Sequence, residues 1–154
     1  MRVWRLARKV YPVLDGDGAR RYGGRWNDPG TPVVYTAAHL SLAVLELLVN
    51  LDADLIPADL TAYEIDVPDG LEVEAVDRNL LPEGWNTAPE CKMCRAIGQR
   101  WAKEARAAVL SVPSSVVPGE TNYLINPQRE EASRVRVVAE RPFSFDPRLF
   151  KRNE

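Results

Sequence analysis

Residues 32–50 read PVVYTAAHLSLAVLELLVN. Branched residues and a tyrosine crowd the first positions and suit a pleated strand, so residues 32–36 are expected to form a short one. Residues 37–50 are expected to form a helix, with Thr36 placed to cap its free N–H groups. Leu40, Ala43, Val44, Leu47 and Leu48 recur at helical spacing and make one apolar face. Leu42, Leu45 and Val49 make much of the other side apolar as well, and a helix oily nearly all round is expected to be buried. Between Ala37 and Val49 the one formally charged side chain is Glu46. A carboxylate in such a helix is costly unless something pairs with it. Two readings fit equally: a functional carboxylate, or one that reaches solvent or a structural ion pair.

Upstream, residues 15–30 hold Gly16, Gly18, Gly23, Gly24 and Gly30 and read as a loop that bends sharply or lets something come close. Its centre, GARRYGGRWN at 18–27, mixes exposed backbone N–H groups with arginine forks, which suits a phosphate ester or a pyrophosphate. No Gly-Lys-Ser/Thr follows, so it is not a Walker loop, and no strand–GxGxxG–helix unit surrounds it. On its own, an ordinary turn with solvated arginines is the simpler reading. Residues 1–7 are expected to be a first strand, with Val3, Arg5 and Ala7 on one face and Trp4 and Leu6 on the other.

Downstream, residues 60–67 (LTAYEIDV) are expected to be a strand closed by the turn Pro68-Asp69-Gly70. Residues 82–87 read as loop. Residues 89–107 are the longest helix candidate, with Met93, Ile97, Trp101 and Ala105 at helical spacing. Strands are expected at 108–112, 123–125 and 135–138, and from Pro142 onward a loosely packed tail. Helices and strands mix without a regular βαβ rhythm, so the fold class expected is α+β. A chain of 154 residues with no repeat and no linker is expected to be a single domain spanning 1–154.

Lys and Arg number 20 against 22 Asp and Glu, a formal net charge of -2. That balance makes no field that gathers nucleic acid or anionic lipid, although Arg2, Arg5, Arg8, Lys9, Arg20, Arg21 and Arg25 crowd the start. No signal-peptide core and no bilayer-length apolar run is present, so a cytoplasmic protein that does not meet a membrane is expected. Cys91 and Cys94 form a CxxC with no second pair to complete a zinc site; they offer no disulfide framework and read as packing. No metal site is expected. Ser114 and Ser115 follow a strand end, but no Gly-x-Ser-x-Gly elbow surrounds them, and the single histidine, His39, reads as a cap or surface residue. A serine-hydrolase triad is therefore not expected.

Taken in order, Trp4-Arg5-Leu6, Gly18-Ala19, Gly23-Gly24-Arg25-Trp26-Asn27, Val34-Tyr35-Thr36, Leu42-Ala43-Val44-Leu45-Glu46, Val112-Pro113-Ser114 and Asn122-Tyr123-Leu124-Ile125-Asn126-Pro127 resemble the RES domain, from about Val3 to Pro127. The resemblance implies an ADP-ribosyltransferase-like split mixed sheet with flanking helices. It implies a toxin restrained by a helical Xre-type antitoxin, in a homo-oligomer or a toxin–antitoxin hetero-oligomer. It also implies an enzyme that consumes NAD as a substrate, with no further cofactor. Carried over, Glu46, Arg5 and Ser114 are the catalytic candidates, with Ser115 adjoining the serine. Arg25, Tyr35, Trp26, Gly24 and Asn126 are the NAD-binding ones.

The chemistry agrees with one isolated carboxylate. Nicotinamide leaves NAD as a neutral molecule and needs no acid, so the demand is to stabilise positive charge on the ribose. Glycosidases with poorer leaving groups need two carboxylates. The function expected is cleavage of the nicotinamide–ribose bond by hydrolysis or phosphorolysis. The alternative is ADP-ribosyl transfer to a protein, and behind both stands a non-enzymatic nucleic-acid-binding module.

Overall fold

The chain, described by a computed structural model over residues 1–104 and 106–151, builds one seven-stranded sheet. Its strands are β1 (Arg2–Arg8), β2 (Val34–Ala37), β3 (Leu60–Asp66), β4 (Val73–Ala75), β5 (Val109–Pro113), β6 (Thr121–Ile125) and β7 (Arg136–Pro142). Their order is β4-β5-β6-β2-β1-β3-β7. β4 and β5 run parallel and the other neighbours antiparallel. Helices α1 (Asp17–Tyr22), α2 (Leu40–Leu48) and α3 (Lys92–Glu104) complete an α+β architecture with a mixed sheet.

The sheet is split in its middle. β1 pairs with β3 along its whole length, from Arg2↔Asp66 to Arg8↔Leu60, yet meets β2 at one position, Trp4↔Ala37. β2 spends its pairing on β6 instead. Apolar side chains pack on both faces. Val3, Val34, Ile65 and Val109 share one cluster. Cys94, Trp101, Leu110 and Leu124 form a second beneath α3, and Leu6, Leu42, Leu60 and Phe145 a third beneath α2. Each such side chain, fully buried, contributes about 1.5–3 kcal/mol.

Several sequence expectations need correction. The glycine loop contains α1, bracketed by Gly16 at φ 69° and Gly23 at φ 71°, conformations that favour glycine. Thr36 does not cap α2. It lies inside β2, because the ladder with β6 runs on to Ala37↔Asn122. The helix begins three residues later, with His39 at the cap position making no side-chain cap bond. Nor is α2 buried all round: Leu42 and Ala43 are, while Leu45 is 39% and Val49 59% exposed. One side of the helix meets β1 and β2 and the remainder is uncovered.

β4 had not been expected; it gains its ladder from β5. In α3 the buried positions include Cys94, Gly98, Trp101 and Ala102, whereas Met93 is exposed and Ala105 lies outside the described residues. The tail after Pro142 is not loose. Phe145 meets Phe143 and Phe150 edge-on at centroid distances of 5.2 and 5.6 Å, closing the third cluster. Among the described residues no helix is long and apolar enough to cross a membrane.

Candidate active site

Beside the split lies a cavity of about 1020 Å³, on the scale of small-molecule sites. Its wall takes Arg5 from β1, Arg25 from the glycine loop, Tyr35 from β2, Glu46 from α2 and Asn122 from β6.

Glu46 is half-buried, with both polar partners on one oxygen. Ser114 Oγ donates to Oε1 at 2.7 Å and Asn122 Nδ2 donates to the same atom at 2.6 Å. Oε2 has no hydrogen-bond partner among the described residues. Ser114 follows β5 and is 4% exposed. Its oxygen also accepts from the N–H groups of Val116 and Val117, at 3.1 and 3.0 Å. A hydroxyl has one donor and two acceptor sites, and here all are used.

Arg5 has no carboxylate within ion-pairing distance among the described residues. Nη1 donates to the Tyr35 carbonyl at 2.9 Å, at the split where β1 and β2 part. Nε is buried without a partner. Burial pushes the guanidinium below the usual arginine range, opposed by the more distant negative charge of Asp15. Arg25 is held by carbonyls instead of acids: Nη1 donates to Trp85 at 2.7 Å and Nη2 to Ala88 at 3.1 Å. Two arginines without acidic partners among the described residues thus share a wall with one carboxylate, an arrangement that suits a ligand carrying negative charge.

Tyr35 clasps the glycine loop. Its hydroxyl donates to Asn27 Oδ1 at 2.7 Å and accepts from Trp26 N–H at 3.1 Å. Burial raises its pKa well above the ordinary tyrosine value. Gly24 must be glycine for this contact, since a Cβ there would sit 2.6 Å from the Tyr35 hydroxyl oxygen. Tyr35 also lines the cavity.

A profile of the RES domain matches residues 2–146. The chain is 37% identical to the Prs ADP-ribosylating toxin of Sphingobium sp. strain YBL2, over 97% of this chain and 96% of that one. It is 36% identical to Toxin Res of Photorhabdus laumondii, over 98% of each. This chain belongs to the RES family. Its fold is also that of a protein in the crystal structure of the M. tuberculosis MbcT-MbcA toxin-antitoxin complex. That match has a TM-score of 0.77 at 23% identity, covering 96% of this chain and 85% of that one.

Of the site residues expected in this RES chain, Glu46, Arg5, Arg25, Tyr35, Gly24 and Trp26 line one cavity. Trp26 does so from within the core: it is 3% exposed and packs 6.1 Å from Trp85. Ser114 sits behind the wall and reaches it through Glu46, while Ser115 lines it. Asn126 does not join them. It is 2% exposed, donates to the Ala102 carbonyl and accepts from Gln128 N–H, so it ties the end of β6 to α3.

Sequence reasoning passed over Asn122 as a site residue, and Arg95, which lines the cavity while pairing with Asp28 and Glu90 at 3.6 Å each. No periodicity marks an isolated asparagine in a strand or an arginine early in a helix. The cysteines, read as packing, are bonded to each other: Cys91–Cys94 bridges the head of α3, beside Glu90 and Arg95. Among the described residues no group of three or more His, Cys, Asp or Glu side chains is placed to hold a metal ion.

Proposed function

We propose that this RES protein is a toxin that breaks the bond between nicotinamide and ribose in NAD. One observation carries the reading: among the described residues Glu46, with one carboxylate oxygen free, shares a cavity with Arg5 and Arg25, neither of which has an acidic partner. The arginines supply forks for the pyrophosphate, and the glycine loop lets its oxygens approach. The Tyr35 ring offers an aromatic face to the cationic nicotinamide. As the C–N bond breaks, its electron pair goes to nicotinamide, which leaves neutral. Positive charge grows on the ribose, and the Glu46 carboxylate stabilises it. Water or phosphate then bonds to the sugar carbon and sheds a proton. Catalysis is positioning plus electrostatics, with NAD the substrate and no further cofactor.

A second reading has its own support. The Sphingobium relative is named for ADP-ribosylation, and the same residues serve if the acceptor is a protein nucleophile. NAD labelled in the adenosine half separates the outcomes. Label in free ADP-ribose or its phosphate supports hydrolysis or phosphorolysis, label on protein supports transfer, and intact NAD overturns both.

Such an enzyme needs restraint, and the solved structural match comes from a toxin–antitoxin complex. We expect an antitoxin partner, of the helical Xre type that the resemblance implied, within a hetero-oligomer in the cytoplasm. Nucleic-acid binding through the basic start is disfavoured. Arg2 pairs with Glu64 and Asp66, Arg8 with Asp59, Lys9 with Glu140, and Arg20 and Arg21 with Asp17.

A further inference from the structure

We propose that Asn122 is a positioning residue for Glu46: its amide selects which carboxylate oxygen faces the ribose. The inference rests on the reading that Glu46 acts on NAD, and it assigns a role to a strand residue outside the arginine, glutamate and serine for which the family is named.

The geometry is specific. A glutamate on a helix has three side-chain torsions to fix, and one hydrogen bond leaves its carboxylate free to swing. Two donors arrive here at Oε1, one from β6 and one from just past the end of the adjacent β5. Asn122 lies on β6 opposite Val112 of β5, and Ser114 follows two residues beyond Val112. Asn122, mounted on a strand, holds the carboxylate more rigidly than a donor on a loop would. Together they occupy Oε1 and leave Oε2 without a hydrogen-bond partner among the described residues, on a side chain that lines the cavity.

The Asn122 amide has its orientation dictated by the glutamate. A carboxylate only accepts, so Nδ2 must face it. Oδ1 is then turned to a place with no donor and stays buried without a partner. A buried orphan acceptor costs folding free energy, and an aliphatic or threonine side chain at this strand position would avoid the cost. The feature that offsets it is the grip on Glu46. Ser114 does not substitute for that grip, because its hydroxyl supplies one donor and its lone pairs are filled by Val116 and Val117.

The test compares wild type, Asn122→Ala and Asn122→Asp, with nicotinamide release followed against NAD concentration and pH, and melting checked for each protein. Asn122→Ala is expected to lower kcat about ten- to a hundredfold, the scale of a misplaced catalytic group, with KM changed less than about threefold. Asn122→Asp carries the informative signature. At about pH 8 two carboxylates face each other and activity is as low as in Asn122→Ala. Toward about pH 5 the pair takes up one proton, the neutral carboxyl donates to its neighbour, and activity recovers several-fold relative to Asn122→Ala. Arg5 on β1, and His39 paired with Glu120 where α2 and β6 begin, are present unchanged in all three proteins, so the comparison between variants does not turn on them.

An Asn122→Asp profile parallel to that of Asn122→Ala overturns the inference, as does an Asn122→Ala protein with wild-type kcat. Should Asn122→Asp fail to fold, the kcat-against-KM split in Asn122→Ala decides alone; a rise in KM with kcat unchanged counts against it. A wild-type protein that releases no nicotinamide overturns the functional reading itself, a distinct result.

Discussion

Ser114 Oγ lies 2.7 Å from Glu46 Oε1, joining residues 68 positions apart in the chain. The bond ties the end of β5 to α2. Its acceptor side is anchored as firmly, by the Val116 and Val117 N–H groups.

Ser114→Ala should therefore lower both activity and stability. Two backbone donors lose their acceptor and the carboxylate loses one of two donors. Leaving a buried group unsatisfied costs about 1–3 kcal/mol. Chemical denaturation should show that loss, and nicotinamide release should fall while NAD binding changes little. Unchanged stability would mean that the serine is not the anchor described.

Arg25→Lys should act on binding. The guanidinium spans two carbonyls, Trp85 and Ala88, and still lines the cavity. A lysine is a point charge without the fork. KM for NAD should rise about tenfold, the equivalent of one charge-assisted hydrogen bond, with a smaller change in kcat. Steady-state kinetics check this, and a pure kcat effect would contradict it.

Tyr35→Phe keeps the ring and removes the clasp on Asn27 and Trp26. The pH dependence has a definite sign. Burial raises the folded-state pKa above the ordinary value of about 10, so the hydroxyl's stabilisation is complete below that pH and is lost as the pH rises beyond it. Wild type should melt above Tyr35→Phe at neutral pH, with the gap narrowing above about pH 10. A gap that widens in alkali would contradict the clasp.

Gly98→Ala tests how α3 is seated. A Cβ at this position would lie 1.8 Å from the Trp26 carbonyl oxygen, so helix or loop must move. The loss should reach about 3 kcal/mol or more, measured by urea unfolding.

How much of this was legible depended on the length of each signal. Glu46 stood out because a single charge in a long oily run is conspicuous. The same run misled about burial: apolar on all sides reads as enclosed, yet α2 meets the sheet along one side, leaving Leu45 and Val49 uncovered. α1 spans six residues and β4 three, too few for any period to register. Phe143, Phe145 and Phe150 as a set follow no single repeat, because Phe143 and Phe145 lie beyond β7 and the short helical turn Pro147–Phe150 brings Phe150 back to them. Arg5 and Arg25 were named from resemblance. That neither meets an acid is a property of the folded chain, invisible in a composition where 20 basic residues face 22 acidic ones.

The most direct test follows free nicotinamide from NAD with purified wild type and Glu46→Gln. The amide keeps the shape and much of the hydrogen bonding at the cavity wall but removes the negative charge. Wild type should release nicotinamide, and Glu46→Gln should do so about a hundred- to a thousandfold more slowly, the usual loss for a missing electrostatic stabiliser, while still binding NAD. Equal rates from the two proteins would contradict the account.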